Sequence, residues 1–430
     1  MKNILLVINA LLLFNISSAQ TLTLPEAIEL GLKNRSELKT QALQLQLDQQ
    51  QDAKIKASWL PQVSASGDLR YNAILQKSVL PIGEFGLPGI SPDATTTVAF
   101  GVPFNTSVGL DATQKIFDPN KNIDKKINAN IVENQLIILE KQKKDIRYAI
   151  TEAYYNVLLQ KEKVKLAEEA VSRAQVNLEN GQTRFKAGTA LKNDIDRLSL
   201  DLSNTRLSAR KAQQDYDFSL EQLKYQLNIS KETKIEIAET VKTMAQSKAQ
   251  STITDITDNS AVRREQIAML GNQLQAQKIM KRNAPTLSAY GNLSLLALNE
   301  EVYPYSYLGL RATMTLYDGK QARLAAADYD IRRQINQVNI EKLRSDLDFE
   351  IRAAQKTLEQ AQLDLEESEK NIALARQVYA TDLFRLEKGN IVVSDLKNSE
   401  FTLQTTENNY IVAAYNYLMA ALKIEQVLEK

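Results

Sequence analysis

The chain has 430 residues with 53 basic and 52 acidic side chains, 6% aromatic residues, 14 Gly and 9 Pro, and neither Cys nor His. A near-neutral balance excludes the basic surface that nucleic-acid binding needs. The missing residues exclude disulfides, Cys or His catalysis, and any transition-metal site not built from carboxylates.

Residues 1–19 read as a secretory signal: Lys2, then an apolar stretch from Ile4 to Phe14, then Ser17-Ser18-Ala19 before Gln20. The apolar run is too short for a membrane anchor. No Cys follows to carry a lipid, so the exported chain is expected to be unlipidated. Thr23-Leu24-Pro25-Glu26 starts a helix with a capping box and an early proline. That helix is expected to break near Asn34-Arg35-Ser36 and resume to about Ser58.

After Trp59-Leu60-Pro61 the period changes from 3.6 to 2, predicting strands over about 62–73 and 105–116. The stretch of about 75–104 between them, with Pro81, Pro88, Pro92 and Pro103, predicts neither helix nor regular strand. A coiled coil follows over about 119–229, as one helix to Lys186 and another from about Asn193 to Leu227. Its seam runs Ile146, Ile150, Ala153, Val157 onward in alternating steps of three and four. A polar segment at 230–258 separates the halves. A helix near 260–282, strands at about 286–297 and 305–316, and a coiled coil over about 319–428 complete the chain.

The second half repeats the first. A shift of 201 residues carries Ile146 to Leu347, Gly188 to Gly389 and Asp194 to Asp395; a shift of 200 carries Gly109 to Gly309 and Asp118 to Asp318. Three segments follow: 1–19 signal, 20–229 first repeat and 259–430 second repeat, with 230–258 as linker. Each strand is apolar on one side and polar on the other, with Asp68, Arg70, Asp111 and Arg311 on polar sides. Trp59, Phe117, Tyr303, Tyr305 and Tyr317 flank the strands as interfacial aromatics would. Four strands cannot close a barrel in lipid, and open edges are not tolerated there, so copies must assemble. A secreted coiled-coil filament would also lack Cys and His, but does not call for strand pairs in both halves. The acidic run Asp364, Glu366, Glu367 fits a solvated helix face better than a hydrolase centre. Tyr317-Asp318-Gly319-Lys320 reads as a turn and not a phosphate loop.

Leu22-Thr23-Leu24-Pro25-Glu26-Ala27 with the residues through Asn34, the Leu60-Pro61 junction, and the duplicated Arg-Phe-Lys-Ala-Gly and Arg-Leu-Glu-Lys-Gly turns with Asp six residues on resemble the TolC family of outer-membrane efflux proteins. The likeness covers about 21 to 428. It implies a mainly α fold with a small β part: a homotrimer with a 12-stranded β-barrel and a periplasmic α-barrel tunnel. It implies a passive outer-membrane conduit without enzymatic activity or cofactor, joined to a periplasmic adaptor and an inner-membrane transporter in a Gram-negative envelope. By the same resemblance Gly188, Thr189, Gly389 and Asn390 form the tip that meets the adaptor. Asp194 and Asp395 ring the tunnel entrance, a role that sits beside plain helix capping after a glycine turn. The polar-side residues Asp68, Arg70, Asp111 and Arg311 are expected in the barrel lumen. At the positions where the family carries a latching Tyr and Arg, this chain has Leu386 and Ile391, with Asn398 where a second acid can occur.

Overall fold

The computed structural model describes residues 20–85, 88–247, 259–299 and 301–429. The signal segment 1–19 and the last part of the 230–258 linker therefore lie outside the described residues. In chain order the elements are β1 (Gln20–Leu22), α1 (Leu24–Asn34), α2 (Ser36–Ala57), β2 (Gln62–Tyr71), β3 (Gln76–Leu80), β4 (Thr96–Phe100) and β5 (Phe104–Phe117). There follow α3 (Lys121–Lys186), α4 (Lys192–Leu227), β6 (Ile235–Ile237), α5 (Val241–Ser247), α6 (Ser260–Met280), β7 (Thr286–Leu298), β8 (Glu301–Thr313), α7 (Gln321–Glu387) and α8 (Val393–Val427). Contacts divide the chain into a helical unit (Met1–Gln44, Gln135–Gln266, Val338–Lys430) and a sheet-bearing unit (Leu45–Asn134, Ile267–Gln337). No helix among the described residues is long and apolar enough to cross a membrane.

In the helical unit the heptad seam does what its period requires. Ile146, Ile150, Val157 and Ala174 on α3 and Ile351, Ala354, Ala361 and Ala375 on α7 are buried, while Lys143 within the same seam is exposed. At 66 and 67 residues, α3 and α7 are each on the order of 100 Å long. Core volume comes from Tyr154, Tyr155 and Leu158 of α3, Leu223 and Leu227 of α4, and Leu418 of α8, all fully buried. Tyr154 donates its hydroxyl to the Leu22 carbonyl at 3.0 Å. This secures β1, which pairs in parallel with β6 through Gln20–Ile235, Thr21–Glu236 and Leu22–Ile237. Residues 230–247 are thus more than a linker. The alternation Ile235-Glu236-Ile237 buries both isoleucines beneath a two-stranded ladder, and α5 follows directly.

The sheet-bearing unit holds four antiparallel strands in the order β2-β5-β7-β8, leaving β2 and β8 as edges within the chain. The repeat is visible at the strand exits. Lys121 donates its backbone N–H to the Asp118 carbonyl at 3.2 Å, and Gln321 does the same to Asp318 at 3.3 Å. The Asp318 carboxylate also accepts the Ala322 N–H at 2.9 Å, so this Gly-Lys segment is a strand-to-helix turn.

Two expectations about this unit need correction. The 75–104 stretch is not irregular throughout: β3 and β4 form a hairpin from Gln76–Phe100 to Leu80–Thr96, because its prolines lie outside the two short β-rich runs. The fourth strand, expected over about 305–316, runs instead from Glu301 to Thr313 and so takes in Tyr303 and Pro304. A proline is tolerated there because β8 is an edge.

Candidate functional site

Two hairpin tips and one face of the sheet carry the residues singled out by the sequence. In the helical unit, α3 ends at Lys186 and α7 at Glu387, and each is followed by a left-handed glycine: Gly188 at φ 72° and Gly389 at φ 77°. Nothing lies within 4 Å of a Cβ built on either, so backbone conformation and not crowding calls for glycine. The two turns share their hydrogen bonds one for one. Gly188 and Gly389 donate to Phe185 and Leu386, both at 2.9 Å, and Thr189 and Asn390 donate to Arg184 and Arg385, both at 2.9 Å. Thr189 and Asn390 are exposed.

Asp194 and Asp395 are not N-caps. The caps are Leu191 and Val392, and both aspartates stand at the third helical position. There a carboxylate faces the positive end of the helix dipole. Asp194 accepts the Leu191 N–H at 3.2 Å and is half-buried, whereas Asp395 is exposed and makes no such cap. The sequence could not separate them because the spacing from glycine is identical.

The two hairpins are tied through a group that residue type alone does not reveal. Arg184 Nη1 donates to the backbone carbonyl of Leu386 at 3.3 Å, so the position lacking a family tyrosine is used through its main chain. Farther along the same helices lies an ionic cluster that sequence reading missed. Glu400 and Glu407 of α8 are 2% and 3% exposed. Arg173 of α3 reaches Glu407 at 3.2 Å and stands 4.0 Å from Glu400. Asn177 of α3 donates to Glu400 at 3.2 Å, and Arg376 of α7 bonds Glu407 at 3.5 Å. Lys397 bridges Glu400 at 2.6 Å and also pairs with Asp201 of α4. Four helices therefore meet on three cations and three carboxylates. The legible signal was Glu400 and Glu407, one heptad apart on a helix whose seam is otherwise apolar.

Burial alone would lower the Lys397 pKa, but its bonds to Asp201 and Glu400 outweigh that and hold it above the usual lysine range. A raised folded-state pKa gives stability that is complete below the unfolded value of about 10.4 and is lost as pH rises through the folded one. Lys397→Met is therefore expected to lower thermal stability by a constant amount between pH 6 and 9. The gap to wild type should narrow above about pH 10.5, which thermal melts across that range would read.

In the sheet, register decides which residues share a face. The cross-strand rows Ser64–Asp111–Asn292–Tyr307 and Asp68–Ser107–Leu296–Tyr303, with Arg70 and Arg311 in phase, put Asp68, Arg70, Asp111 and Arg311 on one side. Asp68 and Arg70 pair at 3.4 Å. Asp111 accepts from Asn292 at 2.8 Å and from Ser66 at 3.4 Å. The opposite side carries Val63, Leu69, Val108, Leu110, Leu293, Leu295, Leu308 and Leu310, all exposed. A bulge between Lys115 and Phe117 brings Phe117 opposite Leu287 on that apolar side. Tyr303 and Tyr305 were expected as interfacial aromatics. They lie on the polar side instead, because register and not composition sets their direction. Trp59 holds a terminal position, with Lys121 Nζ 3.9 Å above its ring. Among the described residues no group of three or more acidic side chains is placed to hold a metal ion.

Solved structures share this fold across 94% of the chain. CusC matches with a TM-score of 0.75 at 14% identity over 91% of its own chain. The CmeC outer membrane channel of Campylobacter jejuni matches at 0.72 and 14% over 85%, and VceC of Vibrio cholerae at 0.71 and 11% over 95%. No curated protein matches in sequence. Residues 27–229, nearly the whole first repeat, match the family described as outer membrane efflux protein. With a duplicated coiled-coil hairpin and a four-stranded two-faced sheet, the chain has the fold of these outer-membrane channels, and its first repeat is similar to the outer membrane efflux protein family.

Proposed function

We propose that three copies join edge to edge into a 12-stranded barrel, each chain giving β2, β5, β7 and β8. The observation that carries this is a sheet with two unpaired edges and an exposed apolar face. In lipid the edge N–H and C=O groups need partners and the apolar face needs none. Strand alternation makes β2 and β8 antiparallel, so β8 of one copy beside β2 of the next continues the ladder. A filament reading accounts for the coiled coil but not for the strand pairs repeated in both halves.

In this assembly Asp68, Arg70, Asp111 and Arg311 line the barrel lumen. Asp194 and Asp395 form two rings of carboxylates at the tunnel mouth, three of each. Gly188, Thr189, Gly389 and Asn390 are the exposed turns that meet the periplasmic adaptor, with an inner-membrane transporter supplying the energy. The exported chain begins at Gln20, without a lipid anchor, and works as a passive conduit without catalysis.

Planar-bilayer conductance tests the reading. The wild type should conduct as a trimer with cation preference, and Asp194→Ala/Asp395→Ala should lower the cation-to-anion permeability ratio severalfold while leaving the trimer intact. A stable monomer in detergent that never conducts would overturn the proposal.

A further inference from the structure

The tyrosines of β8 form a track that the channel reading does not use. Tyr303, Tyr305 and Tyr307 follow one another at every second residue on the polar side, each close to half exposed. At 3.4 Å per residue their rings are spaced by about 7 Å. The track continues onto β7. Tyr290 lies opposite Gly309 in the ladder, and its ring edge meets that of Tyr307 with centroids 5.9 Å apart. A Cβ at Gly309 would come within 2.7 Å of the Tyr290 ring, so the glycine leaves the space in which that ring lies across β8. Arg311 caps this end, its guanidinium 4.6 Å from the Tyr290 centroid. At the other end the Tyr303 hydroxyl is bonded to the Glu301 carboxylate.

A row of four rings on the hydrophilic side is not accounted for by lipid anchoring, since the opposite, predominantly apolar side is the one suited to lipid. Nor do the rings fill a core, since three of them keep much of their surface open. Tyrosine faces attract cations, as Arg311 on Tyr290 shows within the chain itself, and they stack on flat π-systems. Glu301 adds a negative charge at the end away from Arg311.

We infer that Tyr303, Tyr305 and Tyr307, extended by Tyr290, form a binding track for planar aromatic cations on the inner wall of the barrel. The inference rests on the channel reading above, which places this side in the lumen. A flat solute of about 7 Å meets two neighbouring rings at once and can move along the wall by exchanging one for the next.

Ethidium, a planar aromatic cation, and tetraethylammonium, a non-planar cation of equal charge, separate stacking from charge. Each is added on the side of the β3–β4 hairpin to single wild-type channels in a planar bilayer. Ethidium should interrupt the potassium current with resolvable residence times, and tetraethylammonium should not. Tyr303→Ser/Tyr305→Ser/Tyr307→Ser should shorten the ethidium events by about tenfold or more. The triple Tyr→Phe variant, which keeps the rings, should retain them, and it gives the reference if the serine variant does not assemble. Equal block by both cations, or block unchanged in the serine variant, would overturn the track while leaving the channel standing. A wild-type protein that does not conduct at all would overturn the channel reading and the track with it.

Discussion

Arg173→Met is expected to destabilise the helical unit by about 3–5 kcal/mol, the cost of removing one partner from buried ion pairs. The arginine reaches Glu407 at 3.2 Å, and that carboxylate is 3% exposed. Its remaining partner, Arg376, sits at 3.5 Å on a side chain that is largely in water. Glu400 keeps Lys397 and Asn177, but one carboxylate oxygen and the arginine Nε already lack a hydrogen bond among the described residues. Without the guanidinium Glu407 would keep only that peripheral arginine, and Glu400 would lose the cation beside its unbonded oxygen. The guanidinium midpoint of the helical circular-dichroism signal in detergent would measure the loss. Adding Glu400→Gln and Glu407→Gln to the methionine variant should recover most of it, because the penalty comes from stranded charge and not from a missing contact. A loss below about 1 kcal/mol would show that water already reaches the cluster.

The second large effect concerns the sheet. Leu110→Arg should cost about 2–4 kcal/mol in every copy if the apolar side meets lipid near its midplane. Ser107→Arg, three residues away on the same strand but on the polar side beside Asp68, should cost little. Urea titration of folding into lipid vesicles, read by tryptophan fluorescence, compares them; Trp59 is the chain's one tryptophan. Equal effects at the two positions would contradict the two-sided reading.

The helices were legible because their signals are local. The 3.5-residue seam marks the long helices, the Thr23–Glu26 box starts α1 and the glycine turns end α3 and α7, and the observed ends agree within about two residues. Glu26 accepts both the N–H and the hydroxyl of Thr23, at 2.9 and 2.8 Å. The strands were less so. The fourth strand begins about four residues before its expected start and includes Pro304, which costs little at an edge. The β3–β4 hairpin was obscured by four prolines that punctuate its surroundings and not its ladder.

The site residues divided along the same line. Gly188 and Gly389 follow from local backbone geometry, which spacing in the sequence encodes. The common side of Asp68, Arg70, Asp111 and Arg311 was legible within each strand but needed the cross-strand register to join them. The ionic cluster depends on which faces of α3, α4, α7 and α8 meet, a property of tertiary packing that no single helix records.

Glu400 and Glu407 repeat at the period of the coiled coil, and this bears on how far α8 can slide. A displacement of one heptad, about 10.5 Å, would hand Arg173 a glutamate just as before. Arginine and glutamate alone would thus tolerate a misaligned bundle. Lys397 removes the degeneracy: it meets Asp201 on a third helix, and a slipped α8 would carry it away from that acid. The lysine acts as a stop on the ratchet, fixing the alignment that the repeating acids leave free.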